Sequence, residues 1–134
     1  MQSTYMMIKP EIVAADCQKI GEIIAIVQKA GFRIEKIELK QLSQETVEEF
    51  YVEHKERPFY GELVDYITSG PVVALQVAQE NAVVKMRELV GATNPEEAST
   101  GTIRDLYGAA LSTNAVHASD SPESASRELN LVFG

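Results

Sequence analysis

Val72–Val77 reads VVALQV, a nearly unbroken apolar run preceded by the breaker Ser69-Gly70-Pro71. A strand that buries one face alternates apolar with polar residues. A run without that alternation marks a central strand packed on both faces.

The elements upstream of this run supply the layers that such a strand needs. Leu63, Val64 and Ile67 fall on one helix, and Ser43 caps another with Glu45 in its first turn and Val47, Phe50 and Tyr51 along its stripe. Between them, His54, Lys55, Glu56 and Arg57 form a charged connection that ends at Pro58-Phe59-Tyr60, with His54 reading as a solvated surface residue. Two successive helices with an aromatic pair at their corner predict a protruding hairpin that walls one side of a cleft. Further upstream, Phe32–Leu39 has strand composition, but Phe32 and Ile34 are out of phase with Ile37 and Leu39, which predicts a bulge or a change of buried face. Ile20, Ile23, Ile24 and Val27 recur at helical spacing from about Cys17 to Ala30, and Gly31 stops that helix. Thr4–Ile8 is a short first strand halted by Lys9-Pro10. Lys9 is either a solvated edge charge or an ammonium over a pocket mouth.

Downstream, Val83, Met86 and Val90 set a helix over 81–90, followed by a loop from Gly91 to at least Gly101 with no apolar periodicity. Loops of that length are functional or disordered. Ile103–Gly108 is a short helix or turn, and Asn114–Ser121, NAVHASDS, holds a short buried strand through Ala115, Val116 and Ala118. Ser121-Pro122-Glu123 starts a last helix, about Pro122 to Leu129, with Leu131-Val132-Phe133 at the end. The order βαβ, two helices, β, α, loop, β, α fits an α+β ferredoxin-like sandwich, a four-stranded antiparallel sheet covered by helices, as one domain over 1–134.

Composition narrows the function. The chain has 134 residues, 45% of them hydrophobic, and 12 basic against 20 acidic side chains give a net charge of -8. Such a balance excludes general binding to nucleic acid or to an anionic membrane, so an anionic ligand would require its basic residues to be gathered locally. A lone cysteine, Cys17, forms no internal disulfide, and no cysteine and histidine set has metal-ligand spacing. With no signal peptide or membrane span in the sequence, a cytoplasmic protein is expected.

His117 is the anomaly in an otherwise apolar strand. A buried imidazole must find a hydrogen-bond partner or do chemistry, since an unpaired buried polar group is costly. Its place where a strand hands over to a helix suits a nucleophile or general base, and a core histidine tied to backbone is the alternative.

The motifs IKP, RPFY, SGPVVA, GATNP, GTIR and NAVHASDS together resemble those of nucleoside diphosphate kinases, in order and nearly in spacing, over the whole chain. The resemblance implies a phosphotransferase that moves the γ-phosphoryl group of ATP or another nucleoside triphosphate to nucleoside diphosphates, in ping-pong fashion through a phosphohistidine. It implies His117 as the nucleophile, phosphorylated on its pros nitrogen. By motif, Lys9, Arg87, Thr93 and Arg104 would hold phosphates, and Asn114 with Lys9 the ribose hydroxyl. Tyr51 would touch the imidazole or the transferring group, while Phe59 and Leu111 would sandwich the base. Glu128 would orient the histidine, with Ser119 beside it. Magnesium would be held mainly by phosphates and water rather than by protein ligands, and a homo-oligomer, tetramer or hexamer, is expected. Base and sugar specificity should be broad, because stacking accepts any base.

The chain departs from the family pattern in places. Glu11-Ile12 stands where Asp-Gly follows Lys-Pro, the connection to Gly21-Glu22-Ile23-Ile24 is longer, and the segment before Arg87 is shorter. Ala118 replaces a glycine after the histidine, and Asp105-Leu106-Tyr107 replaces a Gly-Asp-Phe-like step. None of these removes a side chain from the transfer scheme. A regulatory module on the same fold would have lost some of His117, Arg87, Arg104, Lys9 and Asn114, and a histidine phosphocarrier would need neither Phe59 nor Asn114.

Overall fold

The computed structural model describes residues 1–15, 17–111 and 113–134. Its sheet has four strands, β1 (Gln2–Ile8), β2 (Arg33–Lys40), β3 (Val72–Gln79) and β4 (Val116–Ala118), in the order β2-β3-β1-β4. Every neighbouring pair is antiparallel.

Strand β3 is central, as its sequence requires, and its side chains alternate between two cores. Val73, Leu75 and Val77 share one cluster with Met6 and Ile8 of β1, covered by Ile23 and Val27 of α2 (Cys17–Lys29) and Met86 and Val90 of α5 (Ala82–Val90). Val72 and Ala74 share the other with Tyr5 and Met7, covered by α3 (Gln44–Phe50), α4 (Tyr60–Ile67) and α7 (Pro122–Phe133) through Val47, Phe50, Val64, Ile67 and Val132. Each large aliphatic side chain so buried contributes about 1.5–3 kcal/mol. The ferredoxin-like architecture expected from the element order is the one observed.

Local chemistry sets most boundaries. Ser43 accepts from the Thr46 amide at 3.1 Å and Ser121 from the Ser124 amide at 3.0 Å, capping α3 and α7. The bulge expected in β2 lies between Ile34 and Lys36, and beyond it Ile37 and Leu39 turn outward, 47% and 67% exposed. Gly91 ends α5 at φ 91°, where a side chain would collide with Thr102.

Several boundaries differ from the sequence reading. The first strand starts at Gln2, and Pro10 opens a short helix, α1 (Pro10–Ala15), rather than merely stopping the strand; proline at a first helical position is compatible with both. The segment after Gly91 is not featureless, since Asn94 caps a 3-10 turn at Pro95–Glu97 before α6 (Ile103–Tyr107). Helix α7 runs without a break to Phe133, because Leu129, Val132 and Phe133 all pack into the second core. The helical hairpin of α3 and α4 packs on the sheet and leaves its corner residue Phe59 47% exposed.

Candidate active site

Strand β4 delivers His117 between the ends of the sheet and α7. It lies opposite Met7 of β1, and its side chain is 18% exposed. Its Nε2 is 2.8 Å from Oε1 of Glu128, an oxygen that also accepts a 2.7 Å hydrogen bond from the Ser119 hydroxyl. A carboxylate accepts, so Nε2 carries the hydrogen and Nδ1 keeps its lone pair. Burial lowers the His117 pKa, against the opposing pull of Glu128. The imidazole is therefore neutral at neutral pH. The Phe50 ring lies edge-on at 4.9 Å and Tyr51 at 6.3 Å, fixing the ring plane. A neutral, oriented imidazole with one free nitrogen can act as a nucleophile.

Cations gather around it from separate elements. Lys9, at the end of β1, is buried and donates from Nζ to Asn114 Oδ1 at 2.7 Å, while the Asn114 amide donates to the Thr93 carbonyl at 3.0 Å. Burial, then the charge of Arg104, lowers the Lys9 pKa to about 8. Arg104 on α6 braces the backbone, donating to the carbonyls of Gly91 at 3.1 Å and Val116 at 2.9 Å, yet its Nε is buried with no partner. Burial and the neighbouring Arg87 charge push the Arg104 pKa down to about 10. Arg87 donates to the Ala118 carbonyl at 3.2 Å. In a chain of net charge -8, mutually repelling cations around one recess make a site for an anion.

That polar recess is lined by Lys9, Tyr51, Arg87, Thr93, Arg104, Asn114, His117 and Glu128. A second recess of about 610 Å³ adjoins it, with Phe59, Leu63, Tyr66 and Leu111 as apolar walls and Glu62 and Thr113 also on its lining. Lys9, Thr93 and Asn114 belong to both. One ligand can thus place a flat apolar end between Phe59 and Leu111 and an anionic end at His117. Ser119 lies behind the wall, bonded to Glu128.

The structure also brings in residues that sequence reasoning missed. His54 is half-buried, lines the polar recess and lies 5.5 Å from the Phe59 ring, so it is not a solvated surface residue. Asp120 and Arg127 line the same recess. Asp120 is part of NAVHASDS and Arg127 is next to Glu128, the signals that could have pointed to them. Among the described residues, no group of three His, Cys, Asp or Glu side chains is placed to hold a metal ion.

The family model for nucleoside diphosphate kinase matches residues 2–134. The chain belongs to that family. A nucleoside diphosphate kinase of Chlamydia trachomatis serovar L2 is 51% identical over 133 residues, covering 99% of this chain and 93% of the relative. One from Persephonella marina is 47% identical over 133 residues, with 99% and 94% covered. The solved nucleoside diphosphate kinase of Encephalitozoon cuniculi superposes with a TM-score of 0.96 at 34% identity, over 100% of this chain and 90% of that one. That of Halobacterium salinarum, solved in complex with CDP, gives a TM-score of 0.91 at 35% identity over 98% and 87%. As a nucleoside diphosphate kinase the chain is an enzyme, a phosphotransferase of nucleotide metabolism. No helix among its described residues is long and apolar enough to cross a membrane.

Proposed function

We propose that the enzyme transfers the γ-phosphoryl group of ATP or another nucleoside triphosphate to nucleoside diphosphates in two half-reactions at His117. Nδ1 attacks the γ-phosphorus, the bond to the β-bridging oxygen breaks, and the diphosphate leaves with that electron pair. A terminal oxygen of the acceptor diphosphate then attacks the phosphohistidine, breaking the N–P bond and restoring neutral imidazole. The observation that carries this reading is the pairing of Nε2 with Glu128, which leaves Nδ1 unprotonated beside Lys9, Arg87 and Arg104.

Phosphoryl transfer needs positioning and positive charge on the spread oxygens. Lys9, Arg87, Thr93 and Arg104 hold phosphates in this scheme, and their common place on the lining of the polar recess supports it. Asn114 and Lys9 take the ribose hydroxyl. Tyr51, whose pKa is raised by burial, keeps its hydroxyl proton and can donate it in a hydrogen bond to the transferring group. Phe59 and Leu111 enclose the base without committing to one, which supports broad use of purine and pyrimidine, ribo- and deoxyribonucleotides. Glu128, backed by Ser119, orients the imidazole.

Magnesium fits a site with no protein cage: the nucleotide's phosphates and water would hold it, with the Asp120 carboxylate on the same recess. When bound it neutralises charge developing on the phosphates. A homo-oligomer, tetramer or hexamer, in the cytoplasm belongs to the same reading; the outward Ile37 and Leu39 of edge strand β2 are apolar surface for subunit contact.

Incubation with γ-labelled ATP and magnesium, without acceptor, tests the proposal. Acid-labile label should appear on the wild type, leave on addition of a diphosphate, and be absent from His117→Ala. Covalent label on His117→Ala, or wild-type turnover by it, would overturn the reading.

A further inference from the structure

Glu11 lies in the first turn of α1, outside every side chain given a role above, yet its carboxylate joins three elements. Oε2 accepts from the Ala115 amide at 3.1 Å, and Oε1 accepts from the Tyr66 hydroxyl on α4. The Tyr66 ring in turn faces Lys9, whose Nζ lies 5.7 Å from its centroid. The carbonyl of Ala115 accepts from the Lys9 amide at 2.9 Å, so Ala115 is held at both its polar backbone groups. That grip matters because Ala115 sits at φ 73°, a left-handed conformation that a residue with a β-carbon adopts only when its surroundings enforce it. Next to it, Asn114 receives the Lys9 ammonium at 2.7 Å.

We propose that Glu11 is a positioning residue for phosphoryl transfer: it fixes the left-handed turn at Ala115 and the Tyr66 ring so that Asn114 and Lys9 face the nucleotide. The inference rests on the roles given to Lys9 and Asn114 under Proposed function. An acid in the first turn also complements the helix dipole. That alone would act on stability, and would require neither the bond to Ala115 nor the one to Tyr66.

The Lys9 ammonium reports on the arrangement. Facing it are Glu11 from α1, Tyr66 from α4, Arg104 from α6 and His117 from β4; burial and Arg104 favour its neutral form, and Glu11 opposes them. Removing the Glu11 charge leaves that depression unopposed. In Glu11→Gln the Lys9 titration, followed by NMR of isotope-labelled lysine in the intact protein, should move from about 8 to lower pH, by roughly half a unit or more. The basic limb of kcat/KM for the triphosphate donor should move with it. Glu11→Ala should lose about tenfold or more in kcat/KM at pH 7, and Glu11→Gln, which keeps an acceptor, should lose less.

An unmoved Lys9 titration with kcat/KM within twofold of wild type overturns the inference and leaves the proposed function standing. A shifted Lys9 titration with an unmoved kcat/KM profile overturns the role of Lys9 in that function, and the positioning role with it. Should Glu11→Ala fail to fold, the Glu11→Gln titration decides alone.

Discussion

His117 and Glu128 meet across the junction of β4 and α7, with Nε2 and Oε1 2.8 Å apart. Eleven positions separate them in the chain, and the turn at Ser119–Ser121 brings the start of α7 back over the strand. The carboxylate is itself held by the Ser119 hydroxyl, so it cannot swing away to solvent without breaking a second bond. The pair therefore fixes both the tautomer and the plane of the imidazole.

Replacing Glu128 with Ala should slow formation of the phosphoenzyme by about 10–100-fold, by analogy with the loss of a carboxylate that orients a metal-bound histidine. Glu128→Gln, whose amide oxygen can still accept from Nε2–H, should retain more of the rate. Rapid-quench measurement of the first turnover checks this. Equal rates in Glu128→Ala and wild type would mean that packing against Phe50 alone orients the ring.

Arg104 and Arg87 should separate when activity and stability are read together. Each replacement by Ala is expected to cost about 2–4 kcal/mol in transition-state stabilisation, read from kcat/KM. Only Arg104→Ala should also lower Tm clearly, because Arg104 is buried and braces the carbonyls of Gly91 and Val116, whereas Arg87 is exposed. Lys85→Ala serves as control, as Lys85 is exposed and its ammonium donates to Gln79. A loss smaller than threefold for both arginines would leave Arg87 a surface charge and Arg104 a structural brace.

The pH dependence follows from two depressed pKa values. His117 stays neutral in the fold below the ordinary histidine value, so the acid limb of kcat/KM for the donor should lie below pH 6.5. Lys9 loses its charge at about 8, so the basic limb should begin there. Stability obeys the same shift at His117. As pH falls through 6.5 the unfolded chain binds the proton while the fold resists it, so stability is retained above that value and declines below it. Tm measured from pH 7.5 down to 5.5 should fall more for wild type than for His117→Gln, and an equal fall would place the titrating group elsewhere.

Much of this fold was legible because burial on both faces leaves its mark on a strand: VVALQV could only be central, and the phase change in β2 foretold its bulge. Helix ends were harder, since proline at Pro10 is compatible with both stopping a strand and opening a helix. The break read before Leu131 dissolves once the second core is seen to extend along α7. In the candidate site, the family resemblance carried by the motifs pointed to His117, Lys9, Arg87 and Arg104, which the fold brings round one recess. It passed over His54, Arg127 and Glu11, because each is an ordinary charged or polar residue until folding brings Phe59, Phe50 or Ala115 beside it.

Phe59 and Leu111 stand at the apolar recess with 47% and 61% of their surface still open to water. In the proposed scheme a base held there would keep an edge in solvent, so little of its identity would be translated into binding free energy, and the phosphate end would dominate. A catalyst of that kind would pass the phosphorylation state of its most abundant donor to every other nucleotide it accepts. Tri- to diphosphate ratios of those bases would then be drawn toward one common value, and the relative sizes of the pools would be left to the reactions that make the nucleotides.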